Sequence, residues 1–169
     1  MSNLYQWFVW LHVLAAFVFF FSHGAEMATA FMLPKEKDAN GMKALLNISQ
    51  ITHIPFGAFG VSMLLLLITS VYMGVTAGWW RRGWWGLSFL IMVGMTVWMS
   101  WYARKYYSPV RKALGLEYVT GFSTRNPAET PESMDIVYAL VARTNPRLLA
   151  WVGLIFTATL LFLMRFKPF

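Results

Sequence analysis

Long apolar stretches alternate with short polar segments along the whole chain. Four stretches are each long enough to cross a hydrocarbon core of about 30 Å, which takes roughly 20 helical residues. They cover residues 4–33, 44–78, 84–102 and 148–166. The pattern therefore predicts an all-α fold, a four-helix transmembrane bundle formed by one integral membrane domain of residues 1–169.

The connections between these stretches are unequal in length. Residues 34–41 and 79–83 are tight turns, whereas residues 103–147 form the only sizeable polar loop. In that loop, Ser108-Pro109 is expected to interrupt a basic continuation of helix three, because proline has no amide proton for the helical ladder. Residues 121–131 have the composition of an irregular loop.

A short amphipathic helix is predicted inside the same polar loop. Thr130-Pro131-Glu132 supplies an N-cap residue followed by proline at the first helical position, and the helix runs to about Arg143. Its apolar positions recur with helical spacing, so we expect it to lie along the membrane surface. Those positions are Met134, Val137, Leu140 and Val141.

Composition favours lipid as the solvent of this chain. Apolar residues make up 58% of it and charged residues only 12%, about half the charge of a soluble domain. There is no cysteine, which excludes disulfides, thiolate metal sites and thiol nucleophiles. Metal chemistry would have to use histidine, methionine or carboxylates.

The net charge of +7 indicates membrane anchoring and no nucleic-acid partner. The basic side chains lie at the ends of apolar segments and form no continuous stripe. Ten of them share one side of the predicted bundle against four on the other, which predicts a cytoplasmic loop 103–147 and non-cytoplasmic termini in a bacterial inner membrane. The ten are Lys35, Lys37, Lys43, Arg104, Lys105, Arg111, Lys112, Arg125, Arg143 and Arg147; the four are Arg81, Arg82, Arg165 and Lys167.

Helix one carries His12, His23 and Glu26. The eleven-residue step between the histidines returns to within about 20° of the same direction, and Glu26 follows one turn later. An ionisable side chain in hydrocarbon costs at least a few kcal/mol, so this face is expected to look into the bundle and to mark a functional site.

Helix two offers a second polar face. Gln50, His53, Gly57 and Gly60 follow one another at steps of three, four and three residues, and the glycines would leave a recess beside the histidine. His53 lies about as far from the first turn as His23 does, so the hairpin is expected to bring the two imidazoles to one membrane depth.

Three interpretations of these residues remain open. His23 and His53 could ligate the iron of haem b, with His12 as a further candidate ligand and with Gln50, Gly57 and Gly60 around the site. A single metal ion could be held by His23, Glu26 and His53, without the wide helix separation that bis-histidine haem demands. The residues could also bind no cofactor and only hydrogen-bond between helices.

The predicted function is that of a haem-binding or redox-active membrane protein, one component of a larger electron-transfer or oxidase system. Its short turns leave little room for a substrate domain, so a partner membrane subunit or a homo-oligomer is expected besides the lipid bilayer. The alternatives are a cofactor-free scaffold or accessory subunit, and a metal or small-solute transporter. No catalytic residue emerges from the sequence, and whether the chain is an enzyme is open.

Several short motifs resemble a family of small predicted integral membrane proteins of unknown function. They are Trp10-Leu11-His12-Val13-Leu14-Ala15-Ala16, Ser22-His23-Gly24, Gly78-Trp79-Trp80 and Phe166-Lys167-Pro168-Phe169. That family is distantly similar to copper-resistance-D-like proteins and to membrane protoporphyrinogen oxidases whose first helix supplies a haem-binding histidine. The resemblance implies that His12 corresponds to that histidine and that His23 matches a Gly-His-Gly-like motif, with Ser22 in place of the first glycine. It provides no counterpart for His53.

Overall fold

The computed structural model describes residues 3–53, 58–121 and 124–168, with the backbone alone for residues 50–53 and Phe59. Helices dominate, as the hydrophobic pattern predicts. They are α1 (Asn3–Met32), α2 (Ala39–His53), α3 (Ala58–Thr76), α4 (Gly83–Tyr102), α5 (Ser108–Ala113), α6 (Met134–Val141) and α7 (Pro146–Phe166). Short 3₁₀ turns lie at Leu33–Lys35 and Trp79–Arg81, and a π-helix spans Ala103–Tyr107.

Within these described residues, three helical segments are long and apolar enough to cross a membrane. They are Asn3–Lys35, Gly83–Ala113 and Met134–Phe166, and the apolar helix Gly60–Thr76 is shorter. The all-α class is therefore confirmed at the level of helical content and long apolar helices. One small addition is an antiparallel hairpin of β1 (Tyr118–Thr120) and β2 (Thr124–Asn126), in a segment expected to be partly irregular loop.

The bundle is built from α1 packed antiparallel on α3 and α4 packed on α7. The ring of Phe8 stacks on Tyr72 with centroids 3.8 Å apart, and further along α1 Ala15 and Phe19 share a buried cluster with Leu66. Trp84, Trp85 and Leu163 form the corresponding cluster between α4 and α7. Both pairs bury one stripe of each helix and leave the opposite stripe exposed.

The second apolar stretch begins earlier than predicted. Ala39 already belongs to α2, although residues 34–41 were expected to form a turn. The carboxylate of Asp38 accepts a hydrogen bond from the Gly41 amide at 2.9 Å, which satisfies an amide that the first helical turn leaves without a partner. The link between α2 and α3, residues 54–57, lies outside the described residues.

The expected interruption at Ser108-Pro109 is wrong, because helix three continues through it. The Ser108 amide donates to the carbonyl of Ala103, five residues back, and closes a π-helical turn. Pro109 follows this wider turn directly, and the change in hydrogen-bond pattern there accommodates a residue that has no amide proton to donate. The polar loop therefore starts with helix rather than with irregular chain.

The short helix α6 starts at Met134, with Ser133 at its N-cap, not at Pro131 as predicted. The Glu132 amide instead donates to the carbonyl of Ala113 at 2.8 Å, which fixes the preceding residues against α5. Its apolar face packs on protein, because Val137 is fully buried, and its position along the membrane surface stays a prediction. Val137 belongs to a cluster of Leu33, Met42, Leu46, Val110, Ala113, Leu114, Val137 and Val141.

This cluster packs the connection between α1 and α2 against residues 103–147. Together these segments are called here the loop end. Tyr138 donates its hydroxyl to the carbonyl of Lys37 at 2.7 Å, and the Lys37 ammonium lies 5.4 Å from the centre of the Tyr138 ring. At the opposite end of the bundle, the Lys167 ammonium lies 4.2 Å from the centre of the Trp79 ring. Lys37 and Lys167 thus lie at opposite ends of the bundle, and the side of the membrane that each end faces stays a prediction.

The hydroxyl of Tyr102 connects α4 to the start of α7 by a hydrogen bond. Tyr102 accepts a hydrogen bond from the Asn145 amide at 2.7 Å, while the Asn145 side chain caps α7 by accepting from the Leu148 amide at 3.0 Å. We expect Tyr102→Phe to lower the free energy of unfolding by roughly 0.5–1.5 kcal/mol, since it removes the hydrogen bond that connects α4 to the start of α7. Thermal unfolding in detergent measures this, with Tyr106→Phe as the control one turn along. Equal losses in both variants would contradict this connection.

Candidate functional site

The imidazole of His12 is held at the contact between α1 and α3. Its Nδ1 lies 2.8 Å from Oγ1 of Thr69, a side chain with no solvent exposure. The Thr69 hydroxyl lies 2.6 Å from the carbonyl oxygen of Leu65 and donates its single proton there. This placement of the hydroxyl proton assigns the other proton to Nδ1 of His12, and Nε2 then keeps a lone pair.

A histidine in this tautomer can act as a ligand. Metal-binding histidines usually donate the proton of one ring nitrogen to a fixed acceptor, which orients the ring and raises the basicity of the other nitrogen. Thr69 is such an acceptor. His12 is only partly buried, so its ring is not sealed off from groups outside this chain.

His23 faces the bundle interior, as the sequence pattern predicts. The residue is 8% exposed, and its Nε2 abuts the backbone of α7 at Gly153. A Cβ added to that glycine would lie 2.6 Å from Nε2. Glycine at this position is what allows the imidazole to seat against α7, so His23 fills a recess in the neighbouring helix.

The structure describes only some of the remaining predicted site residues. Glu26 lines a cavity towards the loop end, while Gly60 is partly buried in the first turns of α3. Gly57 and the side chains of Gln50 and His53 lie outside the described residues. No group of three His, Cys, Asp or Glu that could hold a metal occurs among the described residues. Because His53 is a member, the triad of His23, Glu26 and His53 stays a prediction, as does the common depth of the two imidazoles.

Sequence reasoning missed a cavity of about 340 Å³ between the bundle and the loop end. Its walls come from α1, α2, the α4–α5 segment, β1 and the start of α7. The apolar part of the lining includes Met27, Ala30, Leu46, Met99 and Leu149; the polar part includes Arg104, Tyr107, Arg111, Glu117 and Arg125. A cavity of this volume is within the range of small-ligand sites.

The π-helix shapes one wall of this cavity. In an α-helix, positions four residues apart drift by about 40° per step, so they would leave a common face after a few steps. The wider π turn offsets this drift, and positions at four-residue spacing stay on the wall. The positions that stay on the wall in this way are Met99, Ala103, Tyr107 and Arg111.

Arg111 fixes the shape of the cavity on the side of α2. Its guanidinium donates from Nε to the carbonyl of Glu117 at 2.7 Å and from a terminal nitrogen to the carbonyl of Leu46 at 2.9 Å. These two bonds join α5, α2 and the segment before β1. Arg111 therefore supplies positive charge to the site while its donors hold the wall together.

A charged cluster lies at the rim of the cavity. The hydroxyl of Tyr118 donates to the carboxylate of Glu129, which lies 3.4 Å from the ammonium of Lys112. The hydrogen bond from Tyr118 is the main cause that lowers the pKa of Glu129, and the nearby Lys112 charge acts in the same direction. Glu129 is therefore ionised at neutral pH and balances Lys112 at the rim.

No family model, no curated protein and no solved structure matches this chain. The resemblance stated from the histidine and tryptophan motifs therefore stays a prediction. The two candidate sites are the His12 imidazole and the cavity at the loop end.

The contact between His23 and Gly153 can be tested by a double-mutant cycle. We expect Gly153→Ala to lower the free energy of unfolding by about 1–3 kcal/mol, as overpacking does, because the new Cβ meets the imidazole. Adding His23→Ala should relieve that loss, which makes the two effects non-additive. Gly94→Ala is the matched control in α4, since nothing lies within 4 Å of its new Cβ. Additive losses, measured by thermal unfolding in detergent, would contradict the contact.

Proposed function

We propose that the chain is an integral membrane protein with four spans and that the loop end faces the cytoplasm of a bacterial cell. Large apolar side chains on the outer helix faces support this, among them Phe21 at 82% exposure and Leu90 at 67%. Surfaces of that kind are costly in water and suited to lipid. The excess of Lys and Arg at the loop end fits the cytoplasmic side of a membrane.

The absence of native cysteine makes this topology directly testable. Single cysteines at Ser2, Ala77 and Ala128 would be probed in intact cells with a thiol reagent that does not cross the membrane. We expect Ser2→Cys and Ala77→Cys to react from outside and Ala128→Cys to react only after the cells are opened. Reaction of all three from the same side would contradict four spans.

We further propose that His12 is the haem ligand of a redox-active membrane component. The observation that carries this proposal is the hydrogen-bond chain from His12 through Thr69 to the Leu65 carbonyl, which leaves Nε2 of His12 as the basic nitrogen. His23 is less suited, because the recess at Gly153 leaves no space for iron at its Nε2. Haem b would supply one-electron chemistry at this position.

The partial exposure of His12 favours a partner protein at this site. His12 is only partly buried in this chain, so a haem held there would remain accessible to a second protein. A partner membrane subunit or a second copy of the chain would cover it. This matches a component of a larger electron-transfer or oxidase system.

The second candidate is a cofactor-free accessory subunit. The seating of His23 against Gly153 favours it, because that histidine has a packing role. Under this alternative, His12 only joins α1 to α3 through its hydrogen bond to Thr69.

Titration of the purified protein with haemin separates the two candidates. We expect a Soret shift in the wild type that weakens at least tenfold in His12→Ala and about tenfold or more in Thr69→Val, because the orienting acceptor of the ligand is lost. His23→Ala is the matched control and should keep the wild-type titration. A His12→Ala variant that titrates like the wild type would overturn the haem proposal and leave the accessory subunit.

A further inference from the structure

The cavity at the loop end changes in character along its length. Its bundle side is built from apolar side chains such as Met27, Ala30 and Leu149, which lie inside or next to the apolar helices. Its loop side is built from charged and hydroxyl side chains. A ligand that matched both parts would have an apolar portion towards the bundle and a polar head towards the loop.

The charges of the lining favour an anionic head. Arg104, Arg111 and Arg125 contribute three positive charges, and Glu26 and Glu117 contribute two negative charges, which leaves one positive charge in excess. Arginine is the side chain best suited to phosphate and carboxylate, because its planar guanidinium offers several donors in a fixed geometry. The cavity is also partly shielded from water, which strengthens such contacts.

Tyr107 adds a donor at the same place. Its hydroxyl is buried in the cavity wall beside Thr144, but the two hydroxyls do not meet in hydrogen-bond geometry. A buried hydroxyl without a partner costs free energy, and an oxygen of a bound ligand would satisfy it.

We propose that this cavity binds one anionic amphiphile, with its phosphate or carboxylate head between Arg104 and Tyr107 and its apolar chain along Met27, Ala30 and Met99. The volume of about 340 Å³ corresponds to about eleven water molecules at roughly 30 Å³ each. That space holds a head group and the first few methylene groups, and the rest of the chain extends along the bundle. The site is separate from His12 and does not depend on haem.

Native mass spectrometry of the full chain in detergent tests the proposal with four probes. Dioleoyl phosphatidylglycerol and oleate are the anionic amphiphiles, dioleoyl phosphatidylcholine is the zwitterionic amphiphile, and inorganic phosphate is the anion without a chain. We expect one molecule of an anionic amphiphile per chain. Preference for phosphatidylglycerol would identify the bilayer as its source, and preference for oleate would identify a free fatty acid.

Two variants and one control locate the head group. Arg104→Gln should weaken binding of the preferred probe by about tenfold, the loss of one charge-assisted hydrogen bond, and Tyr107→Phe should weaken it in the same direction. Lys105→Gln removes the same charge from the next residue, which lies outside the cavity lining and contacts the Trp101 ring instead. Its affinity should stay within twofold of the wild type. Unfolding midpoints of all three variants establish that the fold is kept.

Three results would overturn the proposal. Equal binding of phosphatidylcholine would remove the role of the anionic head, and equal binding of inorganic phosphate would remove the role of the chain. Equal weakening in Arg104→Gln and Lys105→Gln would indicate attraction by the general surface charge. Should Arg104→Gln fail to fold, Tyr107→Phe alone decides, because unchanged affinity in that variant would place the head group elsewhere.

Discussion

The hydrogen bond between His12 and Thr69 is the constraint on which the arrangement of the bundle depends. The His12 ring lies between α1 and α3, where a polar group is costly unless it is hydrogen-bonded, and Thr69 supplies that partner. The bond fixes how far α1 is shifted along α3, and the stacking of Phe8 on Tyr72 agrees with the same register. The opposite end of α1 is thereby positioned as well. His23 then meets Gly153 of α7, and Glu26 reaches the cavity at the loop end.

The loop end has its own apolar core and is anchored to the bundle at defined points. Tyr102 binds the Asn145 backbone where α7 starts, and Arg111 binds carbonyl groups on either side of the cavity. These contacts hold the described part of residues 103–147 against the helix ends, so this segment packs on the bundle. The cavity exists because the π turn after α4 keeps one face of the long helix turned towards this segment.

Helical stretches were predictable where one signal dominated. The apolar runs at 84–102 and 148–166 agree closely with Gly83–Tyr102 and Pro146–Phe166, because length and hydropathy decide such segments. The interior orientation of His23 followed from the cost of a polar side chain in lipid. By contrast, α2 starts early through a single carboxylate cap at Asp38, and α6 starts late through one backbone bond from Glu132. The sequence signal for where such helices begin is weak. Contacts with residues that are neighbours in space decide the first helical residue.

The candidate sites also differ in how far they could be predicted from the sequence. Histidines in apolar helices can be recognised from sequence because they are rare and costly there. Which of them presents a usable nitrogen depends on Thr69 and Gly153, residues far from both histidines along the chain. The cavity could not be predicted at all, since its walls combine α1, α2, the α4–α5 segment and the start of α7. Only the three-dimensional contacts bring Glu26, Arg104 and Arg111 into one site.

The most direct test of the central claim is the ¹⁵N spectrum of the three histidine side chains in detergent, before and after haemin is added. The proposal predicts that His12 combines a protonated Nδ1 held by Thr69 with an Nε2 signal that disappears when the paramagnetic iron binds. In Thr69→Val, the fixed tautomer of His12 should be lost. A His12 protonated at Nε2, or a His12 signal that haemin leaves unchanged, would contradict the account.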